Sequence, residues 1–226
     1  MQLTWIGQAG LLFEAAGKKI LVDPYLSDSV AKVQPRNFRR LPVDESLFAL
    51  KPDVIVITHN HLDHLDKETL CHYLTEDSEV LLLAPDGAWQ EARKFGGAKN
   101  NYVLFNNGTT WTEPYATLRA VKAEHSDAHA IGVILMVEGK NYYVTGDTLY
   151  SERVFESLPP MPIEMLFVPV NGVGNNMNPA DAYRFAKRIG AKANVPIHVG
   201  MFDETRPEDI ALPKRKVLSL YEKIEI

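Results

Sequence analysis

Four side chains that commonly bind metals lie in the short segment His59-Asn60-His61-Leu62-Asp63-His64. Imidazole nitrogens and carboxylate oxygens are donors that zinc, manganese and iron accept. In an extended segment alternate side chains point the same way, so His59 and His61 share one side, while Asp63 and His64 fall where the chain turns. The segment can therefore supply ligands to two adjacent ions. A polar, solvated loop is the alternative, although three histidines so close together are unusual for one.

Further ligands must come from elsewhere, because four side chains do not complete two coordination spheres. The other histidines of the chain are His72, His125, His129 and His198. His125 and His198 each follow a predicted strand, and so does Asp147 in Thr145-Gly146-Asp147-Thr148. Neighbouring strand ends gather side chains at one sheet edge, so we predict that these three residues join the first segment. Taken alone, each would equally suit a surface or capping position.

Strand and helix signals alternate in an order that places these residues at strand ends. Short apolar and β-branched runs predict strands at Leu3–Ile6, Leu11–Ala15, Lys19–Val22, Val54–Ile57, Val80–Ala84, Tyr102–Phe105, Thr109–Thr112, Ala116–Ala123, Ile131–Glu138, Asn141–Val144, Met165–Val168 and Ala193–Ile197. Helices are predicted from Asp66 to Leu74, Pro85 to Phe95 and Asn178 to Ile189, with Asp66 and Asn178 as N-caps. The segment from Tyr25 to Asp44 has little periodicity. This order predicts two sheets packed face to face with helices outside, in one unit spanning residues 1–226.

The composition is that of an ordinary globular chain, with 46% apolar and 23% charged residues. A net charge of −5 argues against a protein that wraps nucleic acid. The lone cysteine fits a reducing compartment, and the N-terminus lacks the pattern of a secretory signal, so we expect a cytoplasmic protein. No apolar run is long enough to cross a bilayer. The expected partner is a small molecule rather than nucleic acid or membrane, and assembly into a homo-oligomer is left open.

The chain resembles the metallo-β-lactamase superfamily over nearly its whole length, in the order strand triplet, His-x-His-x-Asp-His motif, later histidine, Gly-Asp-Thr and final histidine. The resemblance implies an α/β fold, a four-layer αββα sandwich of two mixed β-sheets with helices outside. It also implies two metal ions: the first held by His59, His61 and His125, the second by Asp63, His64 and His198, with Asp147 bridging both. His61 stands where the redox-active diiron branch typically has glutamate, which favours hydrolysis over electron transfer.

A narrower likeness points to a substrate class. The segments Trp5–Gly10, Asp23–Asp28, Ala123–Ser126 and Ile197–Phe202 are similar to the L-ascorbate-6-phosphate lactonase branch of that superfamily. The likeness implies a hydrolase of a small lactone or ester, with or without a phosphate. A phosphodiesterase acting on nucleic acid or phospholipid is the alternative with the same dinuclear site, and a non-catalytic metal-binding protein is a third class.

A dinuclear site of this kind would hydrolyse its substrate with a metal-activated water. Zinc or manganese is favoured, and iron also suits the nitrogen and oxygen donors. Metal binding lowers the pKa of water toward about 7, and Asp63 or Asp147 could then relay a proton to the leaving group. His129, four residues after His125, is a candidate to donate to a substrate oxygen or to orient a ligand; a loop histidine without a role is the alternative.

Two segments are candidates for substrate contacts. The loop at residues 31–40 carries four positive charges and no acid, and Arg36, Arg39 and Arg40 could grip an anionic group. Its alternative interpretation is a solvated basic loop. The turn-rich segment 171–176 ends in Asn176, which could contact substrate from a flexible rim or belong only to a connection.

Overall fold

The computed structural model describes residues 1–226 and is an α/β structure. Its strands are β1 (Gln2–Gly7), β2 (Gly10–Ala15), β3 (Lys18–Val22), β4 (Val54–Val56), β5 (Leu81–Ala84), β6 (Asn101–Leu104), β7 (Thr110–Glu113), β8 (Ala116–Lys122), β9 (Ile131–Val137), β10 (Lys140–Val144), β11 (Met165–Pro169), β12 (Ala193–Ile197) and β13 (Lys223–Glu225). Its α-helices are α1 (Ser29–Val33), α2 (Lys67–Tyr73), α3 (Asp86–Phe95), α4 (Glu152–Ser157) and α5 (Pro179–Ile189). No helix is both long and apolar enough to cross a membrane.

The strands form two mixed sheets that repeat the same plan. The seven-stranded sheet has the order β13-β1-β2-β3-β4-β5-β6, and the six-stranded sheet has the order β12-β11-β10-β9-β8-β7. In the first, β1 to β3 pair antiparallel and β3 to β6 pair parallel. In the second, β7 to β10 pair antiparallel and β10 to β12 pair parallel. The parallel strands β3 and β4, and β10 to β12, therefore bring their carboxyl ends to one edge of each sheet.

The main core lies between the two sheets. Alternation along β4 shows how it is built: Val54 and Val56 face the other sheet, whereas Ile55 and Ile57 pack in a second apolar cluster with residues of α2 and α3. A strand buried on both faces must be apolar throughout, as the sequence of β4 is. The helices α4 and α5 cover the second sheet, so the layers run helix, sheet, sheet, helix.

Every predicted strand and helix is confirmed, and each of its ends lies within one residue of the predicted end. The predicted N-caps are also present. The side chain of Asp66 accepts hydrogen bonds from Glu68 and Thr69 at the start of α2, and that of Asn178 accepts from Asp181 at the start of α5. Five short elements were not predicted: α1, α4, β13 and the 3₁₀ helices Glu45–Ala49 and Pro207–Asp209. Each spans fewer than two turns or only three residues, too short for apolar periodicity to be visible.

Gly146 explains how the segment before Asp147 fits against the first sheet. Its φ of +62° is a left-handed conformation that glycine adopts without strain. A Cβ at this position would lie 2.5 Å from the carbonyl oxygen of Ile131 and 3.0 Å from Thr58 Cβ. The glycine thus lets the end of β10 approach the end of β4, which carries His59.

Candidate metal centre

The seven predicted metal ligands lie together at the edge where the strand ends meet. The segment 59–64 follows β4, His125 follows β8, Asp147 follows β10 and His198 follows β12. His59, Asp63, His64, Asp147 and His198 are buried, while His61 and His125 are half-buried. The structure brings every one of them into a single cluster, and their role as metal ligands stays a prediction.

The first group is formed by His59, His61 and His125, whose ligand atoms all lie within 4.8 Å of one another. The Nδ1 atom of His61 is 3.1 Å from Nε2 of His125. The ring of His59 meets the rings of both others edge-on, at centroid distances of 4.5 and 4.8 Å. Three imidazoles facing one point form a nitrogen donor set suited to zinc, iron or manganese.

The second group is formed by Asp63, His64 and His198, again within 4.8 Å. The Nε2 atoms of His64 and His198 are 3.1 Å apart, and Oδ2 of Asp63 is 3.3 Å from Nε2 of His198. This group differs from the first in containing a carboxylate. It therefore brings one negative charge to its centre.

Asp147 lies between the two groups. Its Oδ2 atom is 3.0 Å from Nε2 of His198, 3.8 Å from Nε2 of His125 and 4.0 Å from Nε2 of His59. Its Oδ1 atom is 3.4 Å from Nε2 of His64. A carboxylate in contact with both groups can bridge two ions, as the sequence predicts.

Hydrogen bonds on the far side of the rings orient the imidazoles. His64 Nδ1 is 2.7 Å from Oδ2 of Asp23, which also accepts from the hydroxyl of Thr58 at 2.6 Å. Since that hydroxyl donates to Asp23, it accepts from Nδ1 of His59, 3.0 Å away. Both histidines thus carry a proton on Nδ1 and direct Nε2 to the centre. A carboxylate behind a ligating histidine is a common feature of metal sites.

His125 and His198 also have hydrogen-bonding partners at Nδ1, the first an acceptor and the second an amide nitrogen. Nδ1 of His125 is 3.2 Å from the carbonyl oxygen of Asn175, an acceptor that fixes the Nδ1 proton. Nδ1 of His198 is 2.7 Å from the side-chain amide of Asn171. The ring of His198 also stacks on Phe202, at 5.6 Å between centroids and an interplanar angle of 9°. These contacts hold both rings with Nε2 toward the centre.

Two observations show that the residues fit divalent cations. Nε2 of His59 and Oδ1 of Asp147 are buried without any hydrogen-bond partner, which costs free energy unless something else binds them. Three carboxylates, those of Asp23, Asp63 and Asp147, also lie among the buried histidines. Unpaired donor atoms and buried negative charge are both satisfied by a cation.

The ionisation of these residues in the absence of metal reflects the same demand for positive charge. Burial lowers the pKa of His198, but the carboxylates of Asp147 and Asp63 outweigh burial and raise it to about 9. Burial likewise opposes protonation of His64, yet its carboxylate neighbours hold its pKa well above 6.5. Burial alone would raise the pKa of Asp147, and His198 and His64 instead hold it well below its usual range. Protons on His64 and His198 therefore occupy the place of cations.

Metal binding should release protons for this reason. With its pKa raised to about 9, His198 is protonated at pH 7 in the metal-free protein, the raised pKa of His64 acts in the same direction, and ligation requires both neutral. We expect release of at least about one proton at pH 7 and an apparent affinity that falls as pH decreases below about 9, where protons compete. Titration calorimetry in buffers of different ionisation enthalpy measures the number. Binding without proton release would contradict the prediction.

Gln8 is a site residue that was not predicted. It is buried, and its side-chain nitrogen lies 2.7 Å from Oδ2 of Asp63 and 3.0 Å from Nε2 of His198. Its φ of +51° is unusual for a residue other than glycine, and Asp23 and His198 share this feature at +45° and +64°. Such strained positions concentrate at functional sites. Gln8 therefore positions two members of the second group.

Replacing Gln8 by asparagine should weaken metal binding at the second group. Asparagine tolerates positive φ and keeps the amide, but it is one methylene too short to reach Asp63. We expect about 10- to 100-fold lower affinity for one ion, the range for residues that orient ligands, with the other ion unaffected. Two-site metal titration measures both steps. Equal losses at both sites would indicate a general structural defect instead.

Of the other predicted site residues, His129 lies away from the metal centre and Asn176 lies beside it. His129 is exposed and does not line the cavity beside the centre, so the structure does not bring it to the predicted catalytic residues Asp63 and Asp147. Asn176 does line the cavity, and its side-chain nitrogen donates to Oδ2 of Asp147 at 2.7 Å. Asn176 thus contacts a predicted ligand directly.

The three arginines do not line the cavity. The guanidinium of Arg39 donates to the carbonyl oxygens of Tyr25, Leu41 and Ile6 and to the hydroxyl of Tyr221. Arg40 pairs with Glu204 at 2.9 Å, and Arg36 is exposed. The basic loop reaches the site through Val33, Gln34 and Asn37 instead.

A cavity of about 490 Å³ opens directly above the centre, a size typical of small-molecule sites. His61, Asp63 and Asp147 form part of its floor. Its walls come from loops that follow β3, β4, β8, β10, β11 and β12. A substrate in this cavity would therefore contact the metal centre.

Comparison with known proteins places the chain in a family. Residues 18–199 match the family model described as Beta-lactamase superfamily domain. The chain therefore belongs to the beta-lactamase superfamily, and its sandwich is the predicted metallo-β-lactamase fold. In agreement, it superposes on the metallo-beta-lactamase fold protein YhfI from Bacillus subtilis with a TM-score of 0.74, 17% identity and 99% coverage of both chains.

Two relatives of known sequence carry names that describe different hydrolases. The UPF0173 metal-dependent hydrolase of Ligilactobacillus salivarius is 31% identical over 215 residues, covering 89% of this chain and 86% of its own. The N-acyl-phosphatidylethanolamine-hydrolyzing phospholipase D 1 of Caenorhabditis elegans is 23% identical over 256 residues, covering 98% of this chain and 70% of its own. The narrower likeness to ascorbate-phosphate lactonases stays a prediction.

Proposed function

We propose that this protein is a metal-dependent hydrolase of a small lactone or ester, with two divalent ions, zinc or manganese, held in the cluster. The observation that carries the proposal is Asp147, a buried carboxylate in contact with two separate groups of ligands at the floor of a small-molecule cavity. The metal-dependent hydrolase from Ligilactobacillus salivarius supports the reaction class. The segments around Gln8 and His198, similar to lactonases, support the substrate class.

The ions would supply Lewis-acid activation of a water and of the substrate carbonyl. The chain's own residues then have defined tasks. Asp23 holds the Nδ1 proton of His64, and Thr58 holds the Nδ1 proton of His59. The Nε2 atom of each ring therefore keeps its lone pair free to bind a metal ion. Asp63 and Asp147 are the carboxylates on the cavity floor that could carry a proton to the leaving oxygen.

Metal analysis and a substrate screen test the proposal together. Protein prepared without chelator should contain about two equivalents of metal per chain and hydrolyse lactones or esters only when metal is present. The variant His61→Ala should lose metal and turnover while staying folded. The matched control is His72→Ala, which removes a histidine that stacks on Phe48 away from the centre. Metal-free protein that cannot be reconstituted would refute the proposal.

A phosphodiester is the second candidate substrate. It is favoured by the similarity to the phospholipase D of Caenorhabditis elegans, which covers nearly the whole of this chain. The same metal centre could polarise a phosphoryl oxygen in place of a carbonyl. Two equivalents of metal with turnover of phosphodiesters alone would move the assignment to this candidate.

A further inference from the structure

The cavity above the metal centre has no cationic side chain in its wall. Neither lysine nor arginine lines it, and its acids are Asp63 and Asp147 alone, both in the centre itself. The polar groups of the wall are neutral amides and a hydroxyl, those of Gln34, Asn37, Asn60, Asn175, Asn176 and Ser126. A charged group bound away from the ions would find hydrogen bonds here but no counter-charge.

Two of the nearby arginines, Arg39 and Arg40, are committed elsewhere. Arg39 uses its guanidinium to tie together backbone segments on the far side of the loop, and Arg40 is paired with Glu204 and lies over the ring of Phe38 at 4.2 Å. Turning Arg39 toward the cavity would remove the guanidinium donor from the carbonyl oxygens of Ile6, Tyr25 and Leu41. These two arginines therefore offer no charge to a substrate, and Arg36 is exposed and does not line the cavity.

Exposed apolar side chains stand beside the exposed polar groups that line the cavity. Val33 lies at the end of α1, and Leu62 and Val173 lie in two loops, yet all three line the cavity and are exposed, at 64%, 43% and 39%. Phe202 continues the apolar surface inside, beside His198. Exposed apolar side chains gathered around a cavity are typical of a binding site whose ligand covers them.

Resting on the proposed function, we propose that the substrate is uncharged and carries an apolar chain that leaves the cavity between Val33, Leu62 and Val173. The scissile group reaches the ions, the amides bind its polar neighbours, and the chain covers the rim. Phosphorylated lactones are poor substrates, because a phosphate distant from the ions would lose its hydration without gaining a counter-charge.

Hydroxamic acids test this with a common metal-binding group and no need for turnover. The metal-loaded protein is titrated by calorimetry with acetohydroxamic acid, octanohydroxamic acid and suberic acid monohydroxamic acid. The last two have the same chain length and differ only in a terminal methyl or carboxylate. We expect the octanoyl probe to bind at least about tenfold tighter than the carboxylate probe, and also tighter than the acetyl probe.

Variants of the rim locate the effect. Val33→Lys and Val173→Lys should each reduce the preference for the uncharged probe, whereas Leu104→Lys, at a leucine about as exposed as Val173 but outside the cavity, should leave it unchanged. Binding of the acetyl probe together with equal or tighter binding of the carboxylate probe would overturn the proposal while leaving the metal centre intact. Failure of all three probes to bind would argue against a metal centre that a substrate can reach. It would therefore refute the proposed function as well as this proposal.

Discussion

Replacing Asp147 by asparagine should lower kcat/KM at least about 100-fold and reduce bound metal below two ions per chain. The carboxylate contacts both ligand groups, and an amide of the same shape cannot bridge two cations with negative charge. Residues that merely orient ligands already contribute 10- to 100-fold, so loss of a shared ligand should exceed that. Metal analysis after gel filtration and steady-state kinetics on the best substrate measure the two effects.

The matched control is Asp53→Asn. Asp53 precedes β4, at the opposite end of the strand from His59, and its carboxylate accepts from the backbone of Lys19 and the side chain of Lys18. This variant loses hydrogen bonds of similar number but should keep both ions and its activity. If Asp147→Asn retained two tightly bound ions and normal turnover, the bridging role would be excluded.

Replacing Asp23 by asparagine should weaken metal binding by about 10- to 100-fold and lower the free energy of unfolding by about 1–3 kcal/mol. Asp23 accepts hydrogen bonds from the backbone and hydroxyl of Thr58 and from His64. The amide nitrogen of asparagine would face one of these donors, leaving a buried group unsatisfied. Asparagine tolerates the φ of +45°, so backbone strain does not contribute.

Metal titration and chemical denaturation of the metal-free variant separate the two effects. Loss of stability with unchanged metal affinity would make Asp23 a purely structural residue. Loss of affinity beyond the change in stability would show that it acts on the ions through His64. The effect should be larger for the ion at Asp63, His64 and His198, because His64 contacts Asp23 directly, whereas His59 is connected to it through Thr58.

The sequence was sufficient for the fold and for the residues that form the cluster. Alternating apolar residues are visible over single strands, and three histidines beside an aspartate after a buried strand are distinctive enough to predict a metal site. Asp147 and His198 could be added because they follow other strands, and the parallel pairing of those strands does bring their ends together. The local residue pattern and the order of the strands were together enough to predict the fold and the residues of the cluster.

The residues behind the ligands depended on tertiary structure. Gln8 and Asp23 are common residue types in ordinary turns, and only the approach of the β1–β2 turn to His198 and of the end of β3 to Thr58 gives them their partners. Asp23 had one usable signal, since it follows a strand as the ligands do. Gln8 had none beyond its likeness to lactonases.

The cavity wall was decided by tertiary structure alone. From sequence, the four positive charges at residues 31–40 suited either an anionic substrate or a solvated basic loop, because the sequence shows which residues are charged but not which way their side chains point. In the folded chain the guanidinium of Arg39 donates to backbone carbonyl oxygens, while Val33, Gln34 and Asn37 of the same segment line the cavity. Which residues are metal ligands follows from residue type and from their positions after strands, and both can be read along the sequence. Which side chains of a loop point into a cavity depends instead on the distant backbone groups that its polar side chains bind in the folded chain.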